Sequence, residues 1–199
     1  MFDGKATLPQ PKWSFFRAVL EGDFSEAGIS PRASTMPGMN NRAADPPAVD
    51  RARAEDCDTA WEIIEEYYEA AGVIARDAKE DFERVYFRDG AGVWLAVLEE
   101  IVVGCIALRP LGSIAHSGEV KRLYVQPRVR GRGIAAALYQ SLELYACEYD
   151  YKWLYLDTAD EMAAAQRFYA SLGFELTTRY NDNPQATIFM RKALRASSR

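Results

Sequence analysis

The stretch that decides the fold is residues 119–138, which read EVKRLYVQPRVRGRGIAAAL. We predict a strand over residues 119–125, which Pro127 prevents from continuing. A loop of arginine and glycine follows, and it opens directly into a helix predicted over residues 131–149. This order of strand, basic loop and helix places a helix N-terminus beside a group of cations.

The loop is suited to bind a pyrophosphate. The first N–H groups of a helix have no partner within the helix, and they lie at the positive end of its dipole. Gly131 and Gly133 let phosphate oxygens approach the backbone without a Cβ in the way, and Arg128, Arg130 and Arg132 add guanidinium groups. The sequence therefore predicts a phosphate cradle on a chain whose formal net charge is −5.

Two other phosphate-binding motifs fit the loop less well. A P-loop needs a lysine directly after its second glycine, and no lysine follows the glycines here. The Rossmann pattern GxGxxA is matched by residues 131–136, but that motif opens its fold. Too little chain follows residue 136 to build a doubly wound sheet.

The same segment resembles the signature of the GNAT superfamily of N-acetyltransferases. The family pattern Arg/Gln-x-x-Gly-x-Gly/Ala is met by Arg128, Gly131 and Gly133. In the family this pattern follows a strand that reads Leu-x-Val-x-Pro, and residues 123–127 read LYVQP.

A second pattern of the family lies downstream. Members carry Ala-x-x-x-Tyr-x-x-x-Gly-Phe on their last helix, and residues 165–174 read AQRFYASLGF. The two motifs stand in the correct order and separation, and the resemblance covers about residues 48–194. Met162 departs from it, because many members have an asparagine three residues before the alanine.

The predicted elements imply a mixed sheet with helices on its faces. They are, in order, strand 49–54, a helix capped by Asp58 and ended by Gly72, helix 78–87, the hairpin 93–98 and 101–108, strand 119–125, helix 131–149, strand 153–156, helix 161–172, and strands 174–180 and 186–192. The resemblance implies the GNAT fold, an α/β fold of the α+β type with a mixed, mostly antiparallel sheet of six to seven strands and helices on both faces.

The sequence divides into two parts. Residues 1–47 are rich in proline and are interpreted as an arm or linker, and residues 48–199 are interpreted as the acetyltransferase domain.

The resemblance implies acetyl-CoA as co-substrate and no metal. In a GNAT fold the strand over residues 119–125 would splay from its neighbour near Leu123, its backbone would pair with the pantetheine arm, and the following turn would hold the pyrophosphate. A backbone N–H near Leu123 would polarise the thioester carbonyl. The residues expected to bind the coenzyme are Leu123, Tyr124, Val125, Arg128, Arg130, Gly131, Arg132, Gly133, Ile134 and Ala135.

Two residues are expected to carry the catalysis that the resemblance implies. An alkyl amine, with a pKa of about 10.4, is mostly protonated at neutral pH, so a base must receive its proton. Glu119 is the candidate base, acting directly or through a water, although it could equally be a residue that merely opens the strand. Tyr169 is the candidate acid that protonates the departing thiolate, and the alternative is a core aromatic.

Composition limits the partners. The acidic balance argues against nucleic acid and anionic membranes. The three cysteines are widely spaced, which suits neither a disulfide framework nor a zinc site. No apolar run is long enough to cross a bilayer. We therefore expect a cytoplasmic protein. Dimers are common in this family, so a homodimer is an assembly that the resemblance allows, and the sequence leaves the oligomeric state open. The acceptor is expected to be a primary amine of a small molecule or peptide, and the alternative function is a non-catalytic acyl-CoA-binding or regulatory module.

Overall fold

The computed structural model describes residues 47–72 and 78–195. The predicted arm over residues 1–47 lies outside this part of the chain, apart from Pro47. The strands are β1 (Ala48–Arg51), β2 (Gly92–Leu98), β3 (Ile101–Pro110), β4 (Ser117–Val125), β5 (Trp153–Thr158), β6 (Glu175–Leu176) and β7 (Ile188–Ala193), and the helices are α1 (Cys57–Ala71), α2 (Lys79–Tyr86), α3 (Ile134–Glu148) and α4 (Ala163–Ser171).

The seven strands form one mixed sheet in the order β1-β2-β3-β4-β5-β7-β6. Each pair of neighbours is antiparallel except β4 and β5, which run parallel. A parallel pair needs a crossover connection, and α3 provides it. The sheet is therefore mixed and mostly antiparallel, as expected from the sequence.

Both faces of the sheet are covered by helices. Ile106 and Leu108 of β3 belong to a buried cluster that includes Leu138 and Leu142 of α3. Helices α1 and α2 also contact β3, with their own buried side chains outside that cluster. Coverage on both faces explains why β2 and β3 read as nearly continuous apolar runs instead of alternating ones. Among the described helices, none has the length and apolar character needed to span a bilayer.

Several element boundaries differ from the sequence predictions by a few residues, and two of the helix starts have a local reason. Helix α3 begins at Ile134 and not at residue 131, because Gly131 and Gly133 have φ of 78° and 79°, which a right-handed helix excludes. The first helix begins at Cys57 instead of being capped by Asp58, because a 3₁₀ turn over Ala54–Asp56 places Asp56 at the N-cap.

The strand predicted over residues 174–180 is only two residues long. Thr177 still donates a backbone hydrogen bond to Phe189 at 2.9 Å, and the chain then leaves the sheet. Its next residues include Asn181, whose side-chain amide donates to buried carboxylates of β4 and β5. These side-chain contacts compete with continued strand pairing and end β6.

The predicted hairpin between β2 and β3 is confirmed, and its turn is formed by the unfavourable pair Glu99-Glu100. Glu99 has φ of 49° and Glu100 has φ of 64°, so both residues adopt the left-handed conformation of a primed turn. This conformation suits Asn-Gly and disfavours residues with a larger side chain. The turn therefore stores backbone strain at the tip of the hairpin.

We predict that Glu99→Asn/Glu100→Gly raises the free energy of unfolding by about 1–2 kcal/mol, because it relieves this strain. Thermal unfolding should show a rise in Tm of about 2–6 °C. The matched control is Glu99→Gln/Glu100→Gln, which removes the charges and keeps both side chains. An equal gain in the control would assign the effect to charge repulsion and contradict the backbone explanation.

Candidate active site

A cleft opens where β4 and β5 separate. Their parallel pairing runs from Ser117 opposite Trp153 to Glu119 opposite Tyr155 and ends there. The separation thus starts earlier in β4 than the expected point near Leu123. Beyond Glu119 the pairing of β4 with β5 ends, and the opening between the two strands gives an extended ligand access to the backbone near Leu123.

A bulge in β4 accompanies this separation. The pairing with β3 moves from Ala107 opposite Lys121 to Cys105 opposite Tyr124, which leaves two residues of β4 against one of β3. Arg122, within the bulge, has φ of 54°. The bulge bends β4 at the level of the cleft and redirects the side chains that follow it.

The cleft has a volume of about 170 Å³ and two chemically different walls. Successive side chains of a strand point to opposite faces, so Asp157 and Thr158 of β5 line different sides. Thr158 shares its side with Leu156, which packs in the same buried cluster as Tyr169 of α4. Asp157 instead meets polar groups of β4 and of the segment after β6.

The arginine–glycine turn continues directly from the end of β4. A 3₁₀ turn over Pro127–Val129 leads to Gly131 and Gly133, and a Cβ built on either glycine would meet no atom within 4 Å. Gly133 is the N-cap of α3, whose first intrahelical hydrogen bond runs from Ala137 N–H to the Gly133 carbonyl. The N–H groups before Ala137 therefore lie at an open helix N-terminus, as the motif predicts.

The arginines of the turn are exposed, and two of them are anchored. The Nε of Arg130 donates to the carbonyl of Val125 at 2.9 Å, and Arg128 donates to the amide oxygen of Gln126 at 2.9 and 3.1 Å. Gln126 in turn donates to Glu66 of α1 at 2.7 Å. These contacts hold the guanidinium groups close to the end of β4.

The other residues predicted to bind the coenzyme differ in whether their side chains can reach a ligand in the cleft. Leu123 lines the cleft. Tyr124 is buried, and its hydroxyl donates to Glu66 at 2.9 Å, so its side chain belongs to the packing of α1. The side chains of Val125 and Ile134 lie in the core, and only the backbone of these residues can meet a ligand.

Tyr169 is both a core residue and a cleft residue. Its ring makes edge contacts with Phe168 and Phe174 at centroid distances of 5.5 and 5.4 Å, and it lines the cleft. Burial, reinforced by the neighbouring Tyr67, raises the pKa of Tyr169 above its ordinary value of 10.0. The phenol is therefore protonated at neutral pH and has a proton to donate.

Glu119 lies beside the cleft as the centre of a buried network. Its side chain is 1% exposed, and Arg109 approaches Oε2 through two nitrogens at 2.6 and 2.7 Å. Its other oxygen, Oε1, accepts hydrogen bonds from Tyr180 at 3.0 Å, Asn181 at 2.9 Å and Lys121 at 3.4 Å. Burial and the carboxylate of Glu119 raise the pKa of Tyr180, so this phenol remains a donor to it.

Asp157 is the carboxylate that lines the cleft, and the sequence predictions missed it. Lys121 bridges it to Glu119, with Nζ at 2.8 Å from Oδ1, while Asn181 and Asn183 donate to Oδ2 at 2.6 and 3.2 Å. Asp157 is the one charged residue of β5, which is otherwise mostly apolar, and that is the signal that could have identified it.

The network keeps Asp157 ionised. Burial alone would raise the pKa of Asp157, but the ammonium of Lys121 and the hydrogen bonds from Lys121, Asn181 and Asn183 outweigh it and lower the pKa below its ordinary value of 3.8. A lowered pKa means that the stabilisation is present at higher pH and is lost as the pH falls below 3.8 through the folded-state pKa. At neutral pH Asp157 is therefore ionised.

Comparison with known proteins agrees with this geometry. Residues 50–174 match the model of the Acetyltransferase (GNAT) family. An uncharacterized N-acetyltransferase of Schizosaccharomyces pombe is 30% identical over 136 residues, which are 65% of this chain and 83% of that protein. Human N-acetylaspartate synthetase is 37% identical over 99 residues, which are 47% of this chain and 31% of that protein. A GNAT-family acetyltransferase structure from Staphylococcus aureus aligns with a TM-score of 0.65 at 22% identity, covering 75% of this chain and 99% of the other.

Proposed function

Because this chain belongs to the GNAT family of acetyltransferases, we propose that it transfers the acetyl group of acetyl-CoA directly to a primary amine of a small molecule or peptide. The observation that carries the proposal is the continuity of one binding surface. The part of β4 beyond its pairing with β5 leads into the arginine–glycine turn, so an extended ligand could follow the strand and end with its phosphates on the helix N-terminus.

The coenzyme would be bound mainly by backbone groups and arginines. Amides of the pantetheine arm would pair with β4 near Leu123 and Val125, as an added strand does at a sheet edge. The pyrophosphate would accept hydrogen bonds from the turn between Arg130 and Ala135. The exposed guanidinium groups give this turn a local positive charge for the phosphates, on a chain whose formal net charge is −5.

The transfer would proceed in one ternary complex. The neutral amine attacks the thioester carbonyl, and a backbone N–H near Leu123 stabilises the negative charge that develops on the oxygen. Collapse of this intermediate breaks the carbon–sulfur bond, forms the amide and releases the coenzyme thiolate. Tyr169 would donate its proton to that thiolate, and the proton lost by the attacking amine would pass to the carboxylate network. The Tyr169 phenolate would then regain a proton from solvent, and the network would release its proton to solvent.

Glu119 and Asp157 would act together as the proton acceptor. Glu119 is the carboxylate that we expect to serve as base, but it is buried and held by four residues. Asp157 lines the cleft and shares Lys121 and Asn181 with it. A proton from the amine would therefore reach Glu119 through a water or through these shared donors.

The acceptor would enter from the side of Asp157. Tyr67 and Tyr68 of α1 also line the cleft there, together with Lys121 and Arg122. A cationic, hydroxyl-rich wall of this kind would suit an amine that also carries a carboxylate. We therefore propose to screen aspartate and other amino acids first, since one relative is named N-acetylaspartate synthetase, and to compare them with polyamines, aminoglycosides and basic peptides.

We also propose that the enzyme works in the cytoplasm. Cys57, Cys105 and Cys147 are all free thiols, which suits a reducing compartment. Cys105 is buried, and burial raises its pKa, so it is a packing residue and not a candidate for a covalent acetyl intermediate.

We predict that Gly131→Asp/Gly133→Asp abolishes the binding of acetyl-CoA. The wild-type protein should bind with micromolar affinity in isothermal titration. The variant should lose at least about 100-fold, because two carboxylates would face the pyrophosphate. The matched control is Gly72→Asp, another glycine at positive φ with open space around its Cβ, placed at the end of α1. An equal loss in the control would show that the effect is not specific to the turn.

Tyr169→Phe should lower kcat by about 100-fold or more, because it removes the proton donor for the thiolate, while the Kd for acetyl-CoA stays nearly constant. Release of free thiol measures the rate. Tyr67→Phe is the control, since burial also raises the pKa of that phenol, to about 12, and it lines the same cleft. Full turnover of Tyr169→Phe with unchanged pH dependence would remove its acid role.

Glu119→Gln should remove the acid limb of the pH–rate profile, because the amide keeps the shape of the side chain and cannot accept the proton. Asp157→Asn, studied in parallel, tells which carboxylate sets that limb. Melting temperatures of both variants identify any loss caused by unfolding. An acid limb that survives in Glu119→Gln and disappears in Asp157→Asn would transfer the role of base to Asp157.

A further inference from the structure

Thr158, the last residue of β5, carries a buried hydroxyl without a partner. The residue is 8% exposed, and its Oγ1 is the one buried side-chain oxygen or nitrogen in the described part of the chain that makes no hydrogen bond. Its backbone carbonyl is already satisfied, because Thr187 N–H donates to it at 3.1 Å. Since native proteins pair nearly all buried polar groups, an unpaired hydroxyl at such a position is a candidate to form a hydrogen bond with a molecule bound in the cleft.

The position of Thr158 indicates which ligand it is. The residue lines the cleft with Leu156, Met162 and Tyr169. Leu156 is apolar, the thioether of Met162 is at best a weak acceptor, and the phenol of Tyr169 makes no hydrogen bond to the Thr158 hydroxyl. Because Asp157 points to the opposite face of β5, the polar groups on its side of the cleft are separated from Thr158 by the strand itself.

We propose that Thr158 binds the acyl-pantetheine arm of acetyl-CoA through its hydroxyl, which donates a hydrogen bond to a carbonyl oxygen of that arm. The inference rests on the proposed function, because it requires the coenzyme to occupy this cleft. The arm offers carbonyl oxygens at its amides and at the thioester, and it is the part of the coenzyme that must pass between β4 and β5 to reach Tyr169. Thr158 is therefore a binding residue on the coenzyme side of the cleft, opposite the acceptor side.

The experiment compares Thr158→Val, which keeps the shape and removes the hydroxyl, with Thr158→Ser, which keeps the hydroxyl. Isothermal titration is carried out with acetyl-CoA, with CoA and with 3′-phospho-ADP, the nucleotide without the arm. Thr158→Val should weaken the binding of acetyl-CoA by about 3- to 10-fold, as expected for one net hydrogen bond. Thr158→Ser should retain wild-type affinity, and all three proteins should bind the nucleotide equally.

Thermal unfolding without ligand provides the second measurement. Thr158→Val should melt at or above the temperature of the wild type, because an unpaired buried hydroxyl is replaced by a methyl group. If CoA loses affinity together with acetyl-CoA, the contact lies at an amide of the arm. If only acetyl-CoA loses affinity, the contact lies at the thioester.

Three results would overturn the inference while leaving the proposed function intact. The first is equal affinity of the wild type and Thr158→Val for acetyl-CoA. The second is a loss of affinity of Thr158→Val for 3′-phospho-ADP that equals its loss for acetyl-CoA. The third is a clearly lower melting temperature of Thr158→Val without ligand. A wild-type protein that folds but does not bind acetyl-CoA would instead remove the proposed function, and the role of Thr158 with it.

Discussion

The rest of the site depends on how the sheet separates between β4 and β5 without losing its stability. Backbone pairing between the two strands ends at Glu119, the last residue of β4 that pairs with β5. Two residues further along β4, the ammonium of Lys121 reaches Asp157 of β5 at 2.8 Å. This side-chain ion pair ties the two strands together across the opening, where their backbone pairing has ended.

The ion pair is stable there because the charges around it are balanced. Glu119 and Asp157 face Arg109 and Lys121, and the remaining lone pairs of the carboxylates are satisfied by Tyr180, Asn181 and Asn183. Buried charges are tolerated only when they are paired and fully hydrogen-bonded. The segment after β6 supplies these neutral donors, and it loses its own strand pairing in doing so. The shortened strand β6 and the stable cleft therefore have one cause.

The parts of this structure that could be predicted from sequence are those with a local cause. The arginine–glycine turn could be predicted from residues 119–138 because its causes act within a few residues. They are two glycines at positive φ, a proline that ends a strand, and a helix N-terminus with unpaired N–H groups. The surroundings of Glu119 could not be predicted, because its partners come from β3 and from the segment after β6. The unpaired hydroxyl of Thr158 is likewise a property of the packed structure, since a threonine at the end of an apolar strand is unremarkable in sequence.

The network also bears on how an acceptor amine would lose its proton. Glu119 is enclosed by four donors, so the proton of an amine in the cleft would reach it only through a water or through one of these donors. A protonated amine that entered beside Asp157 would meet that carboxylate, which favours the protonated form, and the ammonium of Lys121, which disfavours it. The charge of Lys121 would thus offset the attraction of Asp157 for the ammonium form of the acceptor. In this arrangement Lys121 ties the strands together at the cleft and would also limit the protonation of the nucleophile.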